Sequence, residues 1–181
     1  KAAIGAVKYS FLRVATKQEI AFSLKESVNL EGDSGPYLQY TYARCKSVLR
    51  KAPKERTADS KELLETLNAK SYTLNAEERA VARLILYFPE IVVEAAQNLA
   101  PSALCAYLFA LAQAFNFFYQ KHTILGDTRQ VTSDTKNKKA NSGLSRVTSH
   151  VSRFRLALTA ATAQVLQNGL YFLGIATLEQ M

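Results

Sequence analysis

From Pro101 to about His122 the apolar residues nearly encircle an α-helix. A helix that is apolar on most of its sides cannot lie on the surface of a water-exposed domain; other helices must surround it. This segment therefore predicts a helical bundle with 101–122 as its central and most buried member. Its most apolar run, Ala103 to Ala112, is about half of what a bilayer span needs. No membrane is expected, and a cytoplasmic chain is the expectation. Lys1 in place of an initiator Met reads as a cut or processed end.

The rest of the chain supplies the surrounding helices. Ile4, Val7, Phe11 and Val14 recur at three- and four-residue steps and predict a helix over 1–14. Ile20 and Phe22 alternate with polar neighbours, as in a short strand or an extended link. The cluster Glu31-Gly32-Asp33-Ser34-Gly35-Pro36 is a turn. Pro36 suits the first turn of a helix, with Asp33 or Ser34 as its cap. That helix is predicted to run to Lys51 with a stripe of Leu38, Tyr42 (or Thr41), Cys45, Val48 and Leu49. A polar link over 53–59 and a short helix over 61–67 follow. Asn75 and Glu78 form a capping-box pattern that opens a helix over 76–88. Pro89 is read as its end, with a second helix over 89–99. The stretch 123–152, rich in Ser, Thr, Asn and Lys, reads as a long basic loop. A last helix is expected over 153–167, closed by Asn168-Gly169.

Glycine (7) and proline (4) are scarce and 48% of residues are hydrophobic, so an all-α chain with a real core is expected. The expected division is a leader over 1–33 and a helical bundle over 34–181. Cys45 and Cys105 fall in apolar helical patterns and read as buried, reduced thiols. His122 and His150 are isolated, so no metal site is expected. No phosphate-binding glycine loop, His-Glu-x-x-His or Gly-x-Ser-x-Gly occurs. Glu77 and Glu78 are adjacent on a helix and point apart, which fits a helix start better than acid–base chemistry. No catalytic residues are expected in this chain.

Lys and Arg outnumber Asp and Glu by 23 to 15, a formal charge of +8. That excess favours an anionic partner, nucleic acid first. The most informative residues are Tyr37, Tyr40 and Arg44, spaced i, i+3 and i+7 on the helix 36–51. They share one face, turned about 100° from the stripe that starts at Leu38. Two aromatic rings and a guanidinium suit an unstacked base better than a duplex groove. The same spacing also allows both rings to pack on a neighbouring helix with Arg44 covering them. Phe115, Phe118 and Tyr119 pose the same alternative.

At these residues the chain resembles arginyl-tRNA synthetases. The stretch from Glu31 to Arg44 is similar to the signature that follows the catalytic domain in that family. Leu111-Ala112-Gln113-Ala114-Phe115-Asn116 resembles its central helix, and Gln164 to Leu170 its last one. Ile4-Gly5-Ala6-Val7-Lys8-Tyr9 resembles the junction leaving the catalytic core. The resemblance implies a helical bundle of the DALR anticodon-binding type with a short leader from that junction. It implies that Tyr37, Tyr40, Arg44, Tyr119 and Met181 surround the anticodon loop, with Asn116 and Asn168 as supports. It further implies tRNA-Arg as partner, a catalytic domain in cis using ATP with Mg2+, no cofactor in this chain itself, and a monomer. Since all arginine anticodons share a central cytosine, one base pocket would serve them all. The departures are the missing Asp-Ala-Leu-Arg tetrapeptide, Ala163 where the family often has Arg, a long 130–152 stretch, and Glu179-Gln180-Met181 in place of Glu-Arg-Met. The rival reading is a basic helical protein-interaction module without tRNA specificity.

Overall fold

The computed structural model describes residues 1–52, 73–125 and 141–180, with the backbone alone over 141–150. Its described elements are helices: α1 (Ala2–Leu12), α2 (Leu24–Ser27), α3 (Gly35–Lys51), α4 (Ala76–Gln97), α5 (Pro101–Lys121) and α6 (Asn141–Phe172). Among the described residues there is no strand, and Ile20 and Phe22 lie in an extended link. The predicted short helix over 61–67 falls outside the described residues.

Helix α5 holds the centre. Leu108, Leu111, Ala112, Phe115 and Phe118 are fully enclosed, and α3, α4 and α6 all pack against it. Its length and composition alone would pass for a membrane span; its place inside the bundle accounts for that apolarity. The leader is joined to the same core. Tyr9 is 1% exposed, and its hydroxyl donates to Asp33 Oδ1 at 2.5 Å and lies 3.2 Å from the Cys105 carbonyl oxygen. Lys8 Nζ reaches the Gly174 carbonyl at 2.6 Å, so the first helix also holds the chain's end. Cys45 and Cys105 are buried free thiols. Burial pushes the Cys105 thiol up to about 12 and Cys45 higher still, so neither is a reactive thiolate.

Three boundaries differ from the sequence-based expectation. Pro89 does not end a helix: α4 runs through it, and Pro89 lies on the exposed side. Proline removes one ladder bond and crowds the preceding turn, but Leu84, Ile85, Phe88, Ile91 and Val92 pack against the core on both sides of it. That packing carries the helix across. Second, the long loop expected over 123–152 is replaced by helix from Asn141 onward. Leu144, Val147, Val151, Phe154 and Leu158 repeat at three and four, a helical period that the polar composition masked. Third, Asn168-Gly169 is not a cap. Gly169 lies inside α6, where a Cβ would meet Leu108 Cδ2 at 2.5 Å, so its missing side chain admits the α5 crossing. The turn falls at Gly174, whose φ of +65° favours glycine.

Candidate nucleic-acid interface

Ser34 starts the site. Its side chain accepts from the Tyr37 amide at 3.1 Å and caps α3, as the turn cluster predicted. Along α3 the residues facing α5 then meet it in order. Tyr37 packs edge-on against Phe109, with centroids 5.5 Å apart. Its hydroxyl and Thr41 Oγ1 both accept from Asn116 Nδ2, at 2.9 and 3.0 Å. Arg44 Nη1 donates to Asn116 Oδ1 at 2.6 Å, and Arg44 Nη2 donates to Tyr40 Oη at 3.0 Å. The guanidinium carbon lies 4.7 Å from the Tyr40 ring centre and 5.1 Å from that of Tyr119. One cation thus joins two rings from different helices.

Beyond Arg44 the C-terminal ends of α3 and α5 part, and a groove of about 870 Å³ opens. Tyr40, Arg44 and Tyr119 form one wall, Arg50, Lys51 and Lys121 add positive charge, and Glu179 and Gln180 close the far side. Lys46 Nζ holds Glu179 Oε1 at 3.7 Å, and Gln39 Nε2 holds the Ala176 carbonyl at 2.6 Å. These contacts lay residues 176–179 along α3. At the other rim Glu77 binds Lys121 Nζ at 2.6 Å and His122 Nε2 at 3.3 Å. The Lys121 bond, with backbone and His122 contacts, lowers the Glu77 carboxyl to about 2. Glu78, one residue on, is fully buried; it closes the capping box with Asn75 and accepts from Arg155 Nε at 2.8 Å. The two glutamates do point apart and serve structure.

Of the residues singled out by sequence, Tyr40, Arg44 and Tyr119 come together on the groove wall. Tyr37 does not: it is 9% exposed and reaches the groove only through Asn116. The helical face is the same, but α5 covers its start and leaves its end open. Asn116 is buried and is the hub of the polar group. Asn168 lies on α6 and accepts from Gln164 of its own helix at 2.9 Å, apart from the groove. Met181 and the lysines of the expected basic loop, 136, 138 and 139, lie outside the described residues. Ala163 is buried, so no surface contact depends on it. Sequence reasoning missed the rim of Arg50, Lys51, Lys121 and His122. Basic residues at two helix ends were visible, but not that the ends meet. Among the described residues no group of three or more His, Cys, Asp or Glu could hold a metal.

Comparisons with known proteins bear on the fold and the family. The chain is 35% identical over its full length to an arginine–tRNA ligase of Pyrococcus furiosus, and 33% identical to one of Clostridium perfringens. It covers 25% and 27% of those proteins, so it spans about a quarter of the curated relatives it matches. Among solved structures, Thermus thermophilus arginyl-tRNA synthetase superposes with a TM-score of 0.75 at 31% identity, over 99% of this chain and 26% of that one. The Plasmodium falciparum arginyl-tRNA synthetase shares the fold, with a TM-score of 0.72 at 23% identity, over 98% and 27%. The DALR anticodon binding domain model matches residues 38–181, a span that holds α3 from Leu38 onward, the central helix and the whole groove, and the chain belongs to that family.

Proposed function

We propose that this chain binds the anticodon loop of tRNA-Arg as the RNA-reading part of an arginine–tRNA ligase. The observation that carries this is the groove wall, where one guanidinium lies within about 5 Å of two tyrosine ring centres beside a basic rim. Flat faces and a cation at a concave surface suit a base turned out of a loop. Tyr40 and Tyr119 offer the stacking faces, and Arg44 holds both rings at one spacing. Tyr37 and Asn116 support Arg44 from below. The family resemblance adds Met181 to this set. Asn168 takes no part. Arginine activation with ATP and Mg2+ would belong to a catalytic domain in cis, in a monomeric cytoplasmic enzyme. A protein-interaction module remains the rival, but it gives no reason for cations and open rings to share one groove.

The test is arginylation by the complete ligase carrying Arg44→Ala or Tyr119→Ala. Loss of one base stack, worth ~1–3 kcal/mol, lowers kcat/KM by roughly five- to a hundredfold. The loss should fall mainly on KM for tRNA. A change within about twofold for both variants, less than ~0.5 kcal/mol, refutes the assignment. Failure of an anticodon hairpin to compete better than one with a changed central base favours the rival.

A further inference from the structure

The polar contacts around Arg44 form a chain whose direction is fixed at its buried end. Thr41 Oγ1 donates its single proton to the Tyr37 main-chain carbonyl at 2.9 Å. That hydroxyl can then only accept, so the group facing it at 3.0 Å must be a donor. The Asn116 carboxamide therefore turns its NH2 toward Thr41 and Tyr37, which leaves its oxygen facing Arg44. A guanidinium only donates, so the flipped amide would set donor against donor at Arg44 and acceptor against acceptor at Thr41. Arg44 Nη2 in turn donates to Tyr40 Oη. The Tyr40 oxygen is thereby engaged as an acceptor, and its proton points away from the guanidinium. Among the described residues none accepts that proton, and Tyr40 lines the groove.

We infer that Asn116 and Arg44 set the Tyr40 hydroxyl as an outward hydrogen-bond donor that reads an acceptor on one unstacked base. The inference rests on the anticodon reading above. Tyr40 is then the specificity-determining residue and Asn116 a positioning residue, acting through Arg44. A donor at this point separates the two pyrimidines. Ring N3 of cytosine accepts a hydrogen bond, whereas the same atom of uracil carries a proton. The wrong base meets donor with donor in a half-enclosed site, the situation that gives strong discrimination between ligands of one shape. The ring faces of Tyr40 and Tyr119 are by contrast tolerant of any base.

The experiment titrates the full chain against labelled hairpins of the arginine anticodon loop. The central base is cytosine, uracil, or 3-deazacytosine, in which N3 is replaced by C–H. The wild-type chain is expected to prefer cytosine over both by roughly tenfold or more. Tyr40→Phe keeps the ring, and is expected to shrink that preference to within about twofold by weakening the cytosine hairpin alone. Asn116→Leu should reduce the same ratio by releasing Arg44. A merely structural role for Asn116 would lower affinity for all three hairpins alike. A cytosine preference that survives Tyr40→Phe, or equal binding of cytosine and 3-deazacytosine, overturns this inference and leaves the anticodon reading standing. Equal binding of all three by the wild-type chain overturns both.

Discussion

Asn116 and Glu77 show how single polar residues shape this surface. Asn116 is buried with both ends of its amide engaged, so it fixes neighbours rather than meeting a ligand. Glu77 sits at the groove rim and neutralises part of it, because its carboxylate holds Lys121 and His122. Its carboxyl is lowered from 4.5 to about 2. A depressed carboxyl adds stability above its unfolded value and loses it as pH falls through the folded one. The melting temperature of wild type should therefore exceed that of Glu77→Gln at pH 6. The gap should close as pH falls from 4.5 towards 2. A gap that is constant down to pH 2 would show that the carboxylate charge is not what these contacts use.

At the scale of helices, the bundle depends on how closely α5 and α6 cross. Gly169 permits that approach, since an added Cβ would meet Leu108, itself fully buried with nowhere to move. Alanine favours a helix over glycine by ~1 kcal/mol, but overpacking a filled core costs ~1–3 kcal/mol. Gly169→Ala is expected to destabilise the chain by ~1–2 kcal/mol in urea unfolding. A stabilised variant would mean that the crossing is looser than the geometry requires. The same contest between local rule and packing explains α4. Pro89 is a local helix breaker, yet the apolar residues on both sides of it bury enough surface against the core to keep one helix.

For the molecule as a whole, charge and shape divide the work. The excess of cations is spread over the chain, but Arg50, Lys51 and Lys121 come together beside the groove. Such cations act on phosphates without regard to base, through counterion release. Replacing Arg50 and Lys51 together by Gln should weaken hairpin binding and reduce the slope of log K against log salt by ~1.4, at ~0.7 per single-strand contact. The preference for the central base should stay as in wild type. A preference that falls with the slope would place these two residues in base reading.

What the sequence determined by itself was whatever depends on local chemistry and period. The apolar encirclement of 101–122 required a central helix, Ser34 and Asn75 capped where their side chains could bond the next turn, and Tyr40 and Arg44 fell on one face because 3.6 residues make a turn. The Leu144 to Leu158 period was also present, hidden under a polar composition. Only the tertiary structure decided that α5 covers Tyr37 and leaves Tyr40 open, that Tyr119 reaches Arg44 from another helix, and that Glu179 and Gln180 return to the same groove. The reason is physical: burial and convergence are set by contacts between segments distant in the chain, and no local period encodes which of two equivalent rings its neighbour will cover.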